Sequence, residues 1–169
     1  MTVRETGNEP ARRTISLAAG RSCSVQSLTG RGLNPQKGLV IPLVKVSLLE
    51  GRSAEEKDSI AASIQSALVS TLEVPDANRY QLFNEYDRES FRHTSGYLGM
   101  TYTDRLLIIE ITVREGDDDE AKKSLLAEIN HNLVAAGLVG GDDVFVLITE
   151  IGPANVSFGK GLAQRAPTS

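Results

Sequence analysis

Tryptophan is absent from the 169 residues, and cysteine occurs once, as Cys23. A lone thiol excludes an intrachain disulfide, so packing and hydrogen bonds must hold the fold. There are two histidines, His93 and His131, and they form no metal-ligand spacing. His131 falls on the polar side of a helical pattern and reads as a solvated residue. No apolar run reaches the roughly 20 residues of a membrane span. No Gly-rich phosphate loop or nucleophile elbow is present. Basic residues are in deficit, 18 against 22 acidic, and the net charge of −4 argues against nucleic acid as a partner. These absences leave an expectation of no metal, no cofactor, no membrane and a cytoplasmic location. With 40% hydrophobic and 24% charged residues, the composition suits one globular domain.

The charge is uneven along the chain. Residues 1–41 carry five arginines and one lysine against Glu5 and Glu9, a net of +4, which leaves −8 for residues 42–169. The leader has neither helical nor strand periodicity and is rich in Ser, Gly and Arg. Three readings are open: an over-long gene model, a transit peptide that would make the location mitochondrial, or a retained disordered tail.

What the chain does have is one pattern written twice. A shift of 65 residues carries Glu50-Gly51 onto Glu115-Gly116, Lys57 onto Lys122, Ile64 onto Ile129, Leu68-Val69 onto Leu133-Val134, and Glu85 onto Glu150. In all, 12 positions match without a gap over a stretch of about 45, where unrelated pairs agree roughly one time in fifteen at ordinary amino-acid usage. A period this long marks a duplicated supersecondary unit.

Each copy reads alike. Val44, Val46 and Leu48 alternate with Lys45, Ser47 and Leu49, as in a strand. After Gly51-Arg52, Ser53-Ala54-Glu55-Glu56 has capping-box spacing, and Ile60, Ala61, Ile64, Ala67, Leu68 and Leu72 follow at helical spacing. Pro75-Asp76 stops the helix, and Tyr80-Gln81-Leu82-Phe83 resumes a strand. The second copy predicts a strand from Leu106 to Val113, an acidic cap from Asp117 to Glu120, a helix from Ala121 to Ala136 and a strand from Val144 to Thr149. Both are β-α-β units, whose crossovers make the paired strands parallel. The fold class is therefore α+β: two fused repeats (42–86 and 107–151) in a four-stranded sheet with two helices on one face, followed by a tail (152–169). Strands such as Leu106-Leu107-Ile108-Ile109 are apolar on both sides, and parallel sheets are normally covered on both faces. Either the bare faces pack together in an oligomer or the tail folds back as a lid.

The domain starts at Pro42. Proline is tolerated at the first residue of a strand, which suffices to explain it structurally. If the chain began there, however, Pro42 would be a secondary amine, and α-amino groups titrate at about 8, within reach of proton-transfer work at neutral pH.

The segment Pro42-Leu43-Val44-Lys45, followed by Leu49-Glu50-Gly51-Arg52-Ser53 and a capped helix, resembles the tautomerase superfamily. Val74-Pro75, Arg79-Tyr80-Gln81-Leu82, Thr149-Glu150 and Ser157-Phe158-Gly159-Lys160-Gly161-Leu162-Ala163-Gln164 resemble its malonate semialdehyde decarboxylase branch. The likeness spans residues 42–164. It implies a cofactor-independent enzyme with an amino-terminal catalytic proline, and a homotrimer. It also implies that Pro42 is the proton carrier and that Arg114 holds the substrate carboxylate in a bidentate grip. The resemblance departs at two places. The decarboxylase has a second arginine where this chain has Gly116, and an acidic residue where it has Asn78, which cannot act as a base.

The retained pair suits keto–enol tautomerisation of a small 2-oxo acid, with Asn78 orienting water or carbonyl. Tyr80 and Phe158 would supply an apolar wall that disfavours the charged amine, although as residue types both are more often core. Decarboxylation is the alternative chemistry. A non-catalytic oligomeric scaffold is the third reading, required if Ile41 remains bonded to Pro42 and makes its nitrogen an amide.

Overall fold

Ser53 ends the turn after the first strand and caps the first helix in both directions. Its hydroxyl accepts from the Glu56 amide, and the Glu56 carboxylate accepts from the Ser53 amide, each at 3.2 Å. The computed structural model describes residues 42–166; the leader, on which the three readings above fall, lies outside them. Strand β1 (Leu43–Leu49), helix α1 (Ala54–Leu72) and strand β2 (Tyr80–Tyr86) form the first unit. A short hairpin of β3 (Gly96–Tyr97) and β4 (Met100–Thr101) intervenes. Then β5 (Leu107–Arg114), α2 (Asp119–Ala135) and β6 (Val144–Ile151) repeat the unit. Helix α2 begins two residues before the spacing predicts, because Asp118 is its cap and accepts from the Ala121 amide at 2.7 Å.

The strands lie in the order β2-β1-β5-β6. Strands β1 and β2 are parallel, as are β5 and β6, while β1 and β5 meet antiparallel at the centre with Val46 opposite Ile109. Both helices cover the same face. The core is written in the repeat: Val44, Val46 and Leu48 correspond to Ile109, Ile111 and Val113, and Ile60, Ile64 and Leu68 to Leu125, Ile129 and Leu133, all buried. Removing such side chains costs about 2–5 kcal/mol when the cavity cannot collapse.

Polar contacts recur at the same offset. Gln65 donates from Nε2 to the Asp76 carbonyl at 3.3 Å, and Asn130 from Nδ2 to the Gly141 carbonyl at 2.7 Å. Glu50 and Glu115 donate backbone amides to Tyr86 and Ile151 at 2.9 and 3.0 Å. Lys57 meets Glu85 at 2.9 Å and Lys122 meets Glu150 at 2.8 Å. The matched Lys and Glu positions are thus helix-to-strand ion pairs.

The second pair yields a pH prediction. The hydrogen bond from Lys122, aided by the Gly116 amide, holds the Glu150 carboxyl below its ordinary value of 4.5. A lowered folded value stabilises the protein above pH 4.5, and that contribution is lost as the pH falls through the folded value. Glu150→Gln is therefore expected to lower the urea midpoint at neutral pH, with the gap to wild type closing below pH 4.5. A gap independent of pH would show that the carboxylate charge plays no part.

Segment 87–106 has no copy in the other repeat. Arg88 grips Asp104 with two bonds of 2.8 and 2.6 Å, and Tyr86, Phe91, His93 and Tyr102 run in an aromatic file with centroids 5.7–6.3 Å apart. The hairpin needs Gly96, where a Cβ would sit 2.5 Å from the Met100 carbonyl oxygen.

The sheet face opposite the helices carries Leu43 and Lys45 of β1, Tyr80 and Leu82 of β2, Ile108 and Thr112 of β5, and Phe145 and Leu147 of β6, by the strand register. Leu82 and Leu147 remain 50% and 46% exposed. Among the described residues no helix is long and apolar enough to cross a membrane.

Candidate active site

At one end of the open sheet face, a pocket of about 400 Å³ lies between the strands and the tail. The register assembles its floor. Leu43 of β1 pairs with Tyr80 of β2 on one side and Thr112 of β5 on the other, and Arg114 pairs with Ile151 of β6. Alternation along β5 turns Leu107, Ile109, Ile111 and Val113 to the helices, so Thr112 and Arg114 point to the open face. The tail supplies the other wall with Val156, Ser157, Phe158 and Arg165.

The tail is tied to itself. The Gln164 side-chain Oε1 accepts from the Phe158 amide at 3.0 Å, and its Nε2 donates to the Gly159 carbonyl at 2.8 Å. Gly159 and Gly161 adopt φ of +127° and +65°, angles open to glycine and strained for most residues. This clamp fixes the loop from Phe158 to Gln164 and delivers Arg165 to the pocket. The segment therefore roofs one corner of the sheet and leaves the rest of the face open, so it is a lid only locally.

Arg114 is half-buried, and its Nε is buried with no hydrogen-bond partner among the described residues. A buried unpaired donor costs about 1–3 kcal/mol, more when charged. An acceptor entering the pocket, a water or the oxygen of a bound anion, would complete it. Among the described residues no acidic side chain lines the pocket, and the charged ones that do are Arg114 and Arg165. Apolar walls and two guanidinium groups suit a small anion with a hydrocarbon skeleton.

The residues singled out by sequence distribute unevenly. Arg114, Tyr80 and Phe158 line the pocket together. Tyr80 and Phe158 are 54% and 43% exposed, so neither is core. Pro42 is buried and stands at the edge: its neighbour Leu43 lines the cavity and its own ring does not. Asn78 is not part of the lining. It sits half-buried in the turn before β2, where its backbone amide donates to the Pro75 carbonyl at 2.8 Å.

Gly116 has a conformational reason to be glycine. Its φ is +123°, and Gly51, its repeat counterpart, has +106°. An arginine there would be strained unless the turn changed. Arg165 escaped the sequence reading because it lies in the tail beyond both copies of the repeat, with no periodicity to mark it.

Two families, both described as "Tautomerase enzyme", match the chain, one over residues 42–92 and the other over residues 78–159. The probable tautomerase YusQ of Bacillus subtilis (strain 168) is 27% identical over 124 residues, which are 73% of this chain and 98% of that protein. The crystal structure of FG41 malonate semialdehyde decarboxylase, inhibited by 3-bromopropiolate, superposes with a TM-score of 0.66. It is 34% identical, and the match covers 72% of this chain and 92% of that one. The fused 4-OT asymmetric trimer shares the fold with a TM-score of 0.60 at 22% identity, over 72% of this chain and 96% of that one.

Proposed function

Because the chain belongs to the tautomerase superfamily, in its malonate semialdehyde decarboxylase-like branch, we propose that it catalyses keto–enol tautomerisation of small 2-oxo acids at the pocket between Leu43, Arg114 and Phe158. The observation that carries this reading is the half-buried Arg114, whose Nε has no partner, in a cavity with no acidic wall, among the described residues. The Arg114 fork binds the substrate carboxylate and draws negative charge toward it. The neutral nitrogen of Pro42, at the edge of the same cavity, takes a proton from the carbon next to the carbonyl. The electron pair of that C–H bond moves to form the enolate, which the arginine stabilises. The same proton then returns from the protonated ring nitrogen to the enolate oxygen or to the far carbon of a conjugated dienol.

This chemistry operates in a chain that begins at Pro42. With Ile41 attached, the nitrogen is an amide without an available lone pair, and the protein is then a scaffold.

Similarity to the FG41 decarboxylase at 34% identity favours decarboxylation as the second reading. In that variant, protonated Pro42 serves as the electron sink. Gly116 and Asn78 stand against it, since neither supplies a charge.

The open sheet face exposes Tyr80, Leu82, Phe145 and Leu147 together, and clustered exposed apolar side chains mark interaction surfaces. The sheet of a fused 4-OT trimer has the same fold. We read this face as the contact of a homo-oligomer, a trimer. A screen of the chain beginning at Pro42 should show turnover of enolised 2-oxo acids above that of malonate semialdehyde. Decarboxylation without tautomerisation would replace the first reading with the second, and a monomer on sizing chromatography would remove the oligomer.

A further inference from the structure

The duplication continues in space past the last strand of each unit, although the residues there no longer match. The offset of 65 carries Asp87 onto Gly152 and Ser90 onto Asn155. One turn hydrogen bond recurs with them: the Ser90 amide donates to the Asp87 carbonyl at 3.2 Å, and the Asn155 amide to the Gly152 carbonyl at 2.9 Å. The same offset relates cavities. Leu43, Tyr80 and Thr112 in the floor of the first pocket correspond to Ile108, Phe145 and Ser47, and Ser157 and Phe158 in its roof to Arg92 and His93. All of these counterparts line two cavities of about 290 and 250 Å³ that meet at Ile108, at the other end of β1.

The counterpart site differs in its chemistry. Where the first site has Pro42 and Arg114, it has Leu107, buried within the chain, and Leu49. It therefore cannot repeat a proton transfer that depends on Pro42. Its cation stands on the roof instead. Arg92 lines the larger cavity with Ser47 and Ser90. The Arg92 Nε donates to the Glu89 carbonyl at 2.6 Å, and among the described residues no hydrogen bond or ion pair engages its two terminal nitrogens. An exposed arginine without a partner is ordinary by itself, but two hydroxyls in the same cavity complete a donor set for one carboxylate. Beyond Ile108, the smaller cavity is walled by the rings of His93, Tyr97, Tyr102 and Phe145, which suit a flat apolar group. Among the described residues no acidic side chain lines either cavity. We infer that the joined cavities form a second, non-catalytic site for a small aromatic monocarboxylate, with its acid group on Arg92 and its ring among His93, Tyr97 and Tyr102. This site stands whether or not the first pocket turns over 2-oxo acids.

Binding here needs no free Pro42 nitrogen, so the full chain serves for the test. The probe is 3-phenylpropanoate, which has no 2-oxo group, compared with 3-phenylpropanol as its uncharged analogue. The chain has two histidines, so imidazole NMR signals report the site directly. On titration the His93 signal should move, and that of His131, exposed on α2, should not. The acid should bind about 3- to 10-fold tighter than the alcohol, between the effect of an exposed ion pair and that of a hydrogen bond to a charged group. Arg92→Gln should remove that advantage while leaving the alcohol unchanged, and Arg92→Lys should keep part of it. Arg114→Gln should leave the His93 titration as it is in the wild type. A His93 signal unmoved by millimolar acid, or an undiminished preference for the acid in Arg92→Gln, overturns the proposal. Loss of the His93 shift in Arg114→Gln also overturns it, since the ligand would then sit in the first pocket.

Discussion

Pro42→Ala, in a chain beginning at residue 42, is expected to cut tautomerase turnover by about two to four orders of magnitude, the usual contribution of a positioned acid–base group. The pyrrolidine ring presents a secondary amine with its lone pair held by a rigid frame. Alanine keeps an amine but frees its rotation, so proton transfer loses orientation as well as basicity. Structural damage should be small, because position 42 precedes the paired residues of β1, which start at Leu43. Steady-state kcat/KM on an enolised 2-oxo acid, with sizing chromatography on the same samples, makes the measurement. Equal rates for the two proteins would sink the proline mechanism. A companion protein retaining residues 1–41 should be as inactive as the variant or more so, since its ring nitrogen is acylated.

Arg114→Gln should lower kcat/KM on carboxylate substrates by about 10²- to 10³-fold, corresponding to the loss of a charge-assisted bidentate pair. A neutral ketone of the same skeleton should be little affected, because it never used the fork. Arg114→Lys should recover only part of the loss, as an ammonium cannot grip two oxygens in one plane. The stability expectation runs the other way. Arg114 buries an Nε without a partner among the described residues, so the glutamine variant should melt at the same temperature as wild type or higher. An equal fall on carboxylate and neutral substrates, or a marked loss of stability, would mean that Arg114 shapes the fold rather than binds an acid.

Much of the architecture was readable from residues because it is local and doubled. Val44, Val46 and Leu48 alternate, Ile60, Ile64 and Leu68 recur at helical spacing, and the same pattern returns 65 residues later. Two copies of one signal gave the β-α-β units, their parallel pairs and the one-sided helices, all present in the structure. The capping box at Ser53 was legible for the same reason, since its hydrogen bonds join residues three apart. Arg114 could be proposed because, at the end of the strand in the second copy, it matches the carboxylate-holding arginine of the family that the chain resembles. The hairpin of 96–101 could not, because it depends on two residues of positive φ, Leu98 at +50° and Gly99 at +86°, and leucine gives no sign of such a turn.

Local pattern thus specified the elements, their order and the apolar face of each, since periods of 2 and 3.6 residues are properties of the neighbouring chain. The surroundings of Arg114 emerge only when the chain is folded. The pocket joins Leu43, Tyr80, Thr112 and Arg165 from four separate segments, and their meeting depends on strand register and on a clamp at Gln164. Asn78 is left outside and Arg165 brought inside by the same cause: proximity between distant segments is set by how the strands pair and how the tail turns, and no local spacing encodes it.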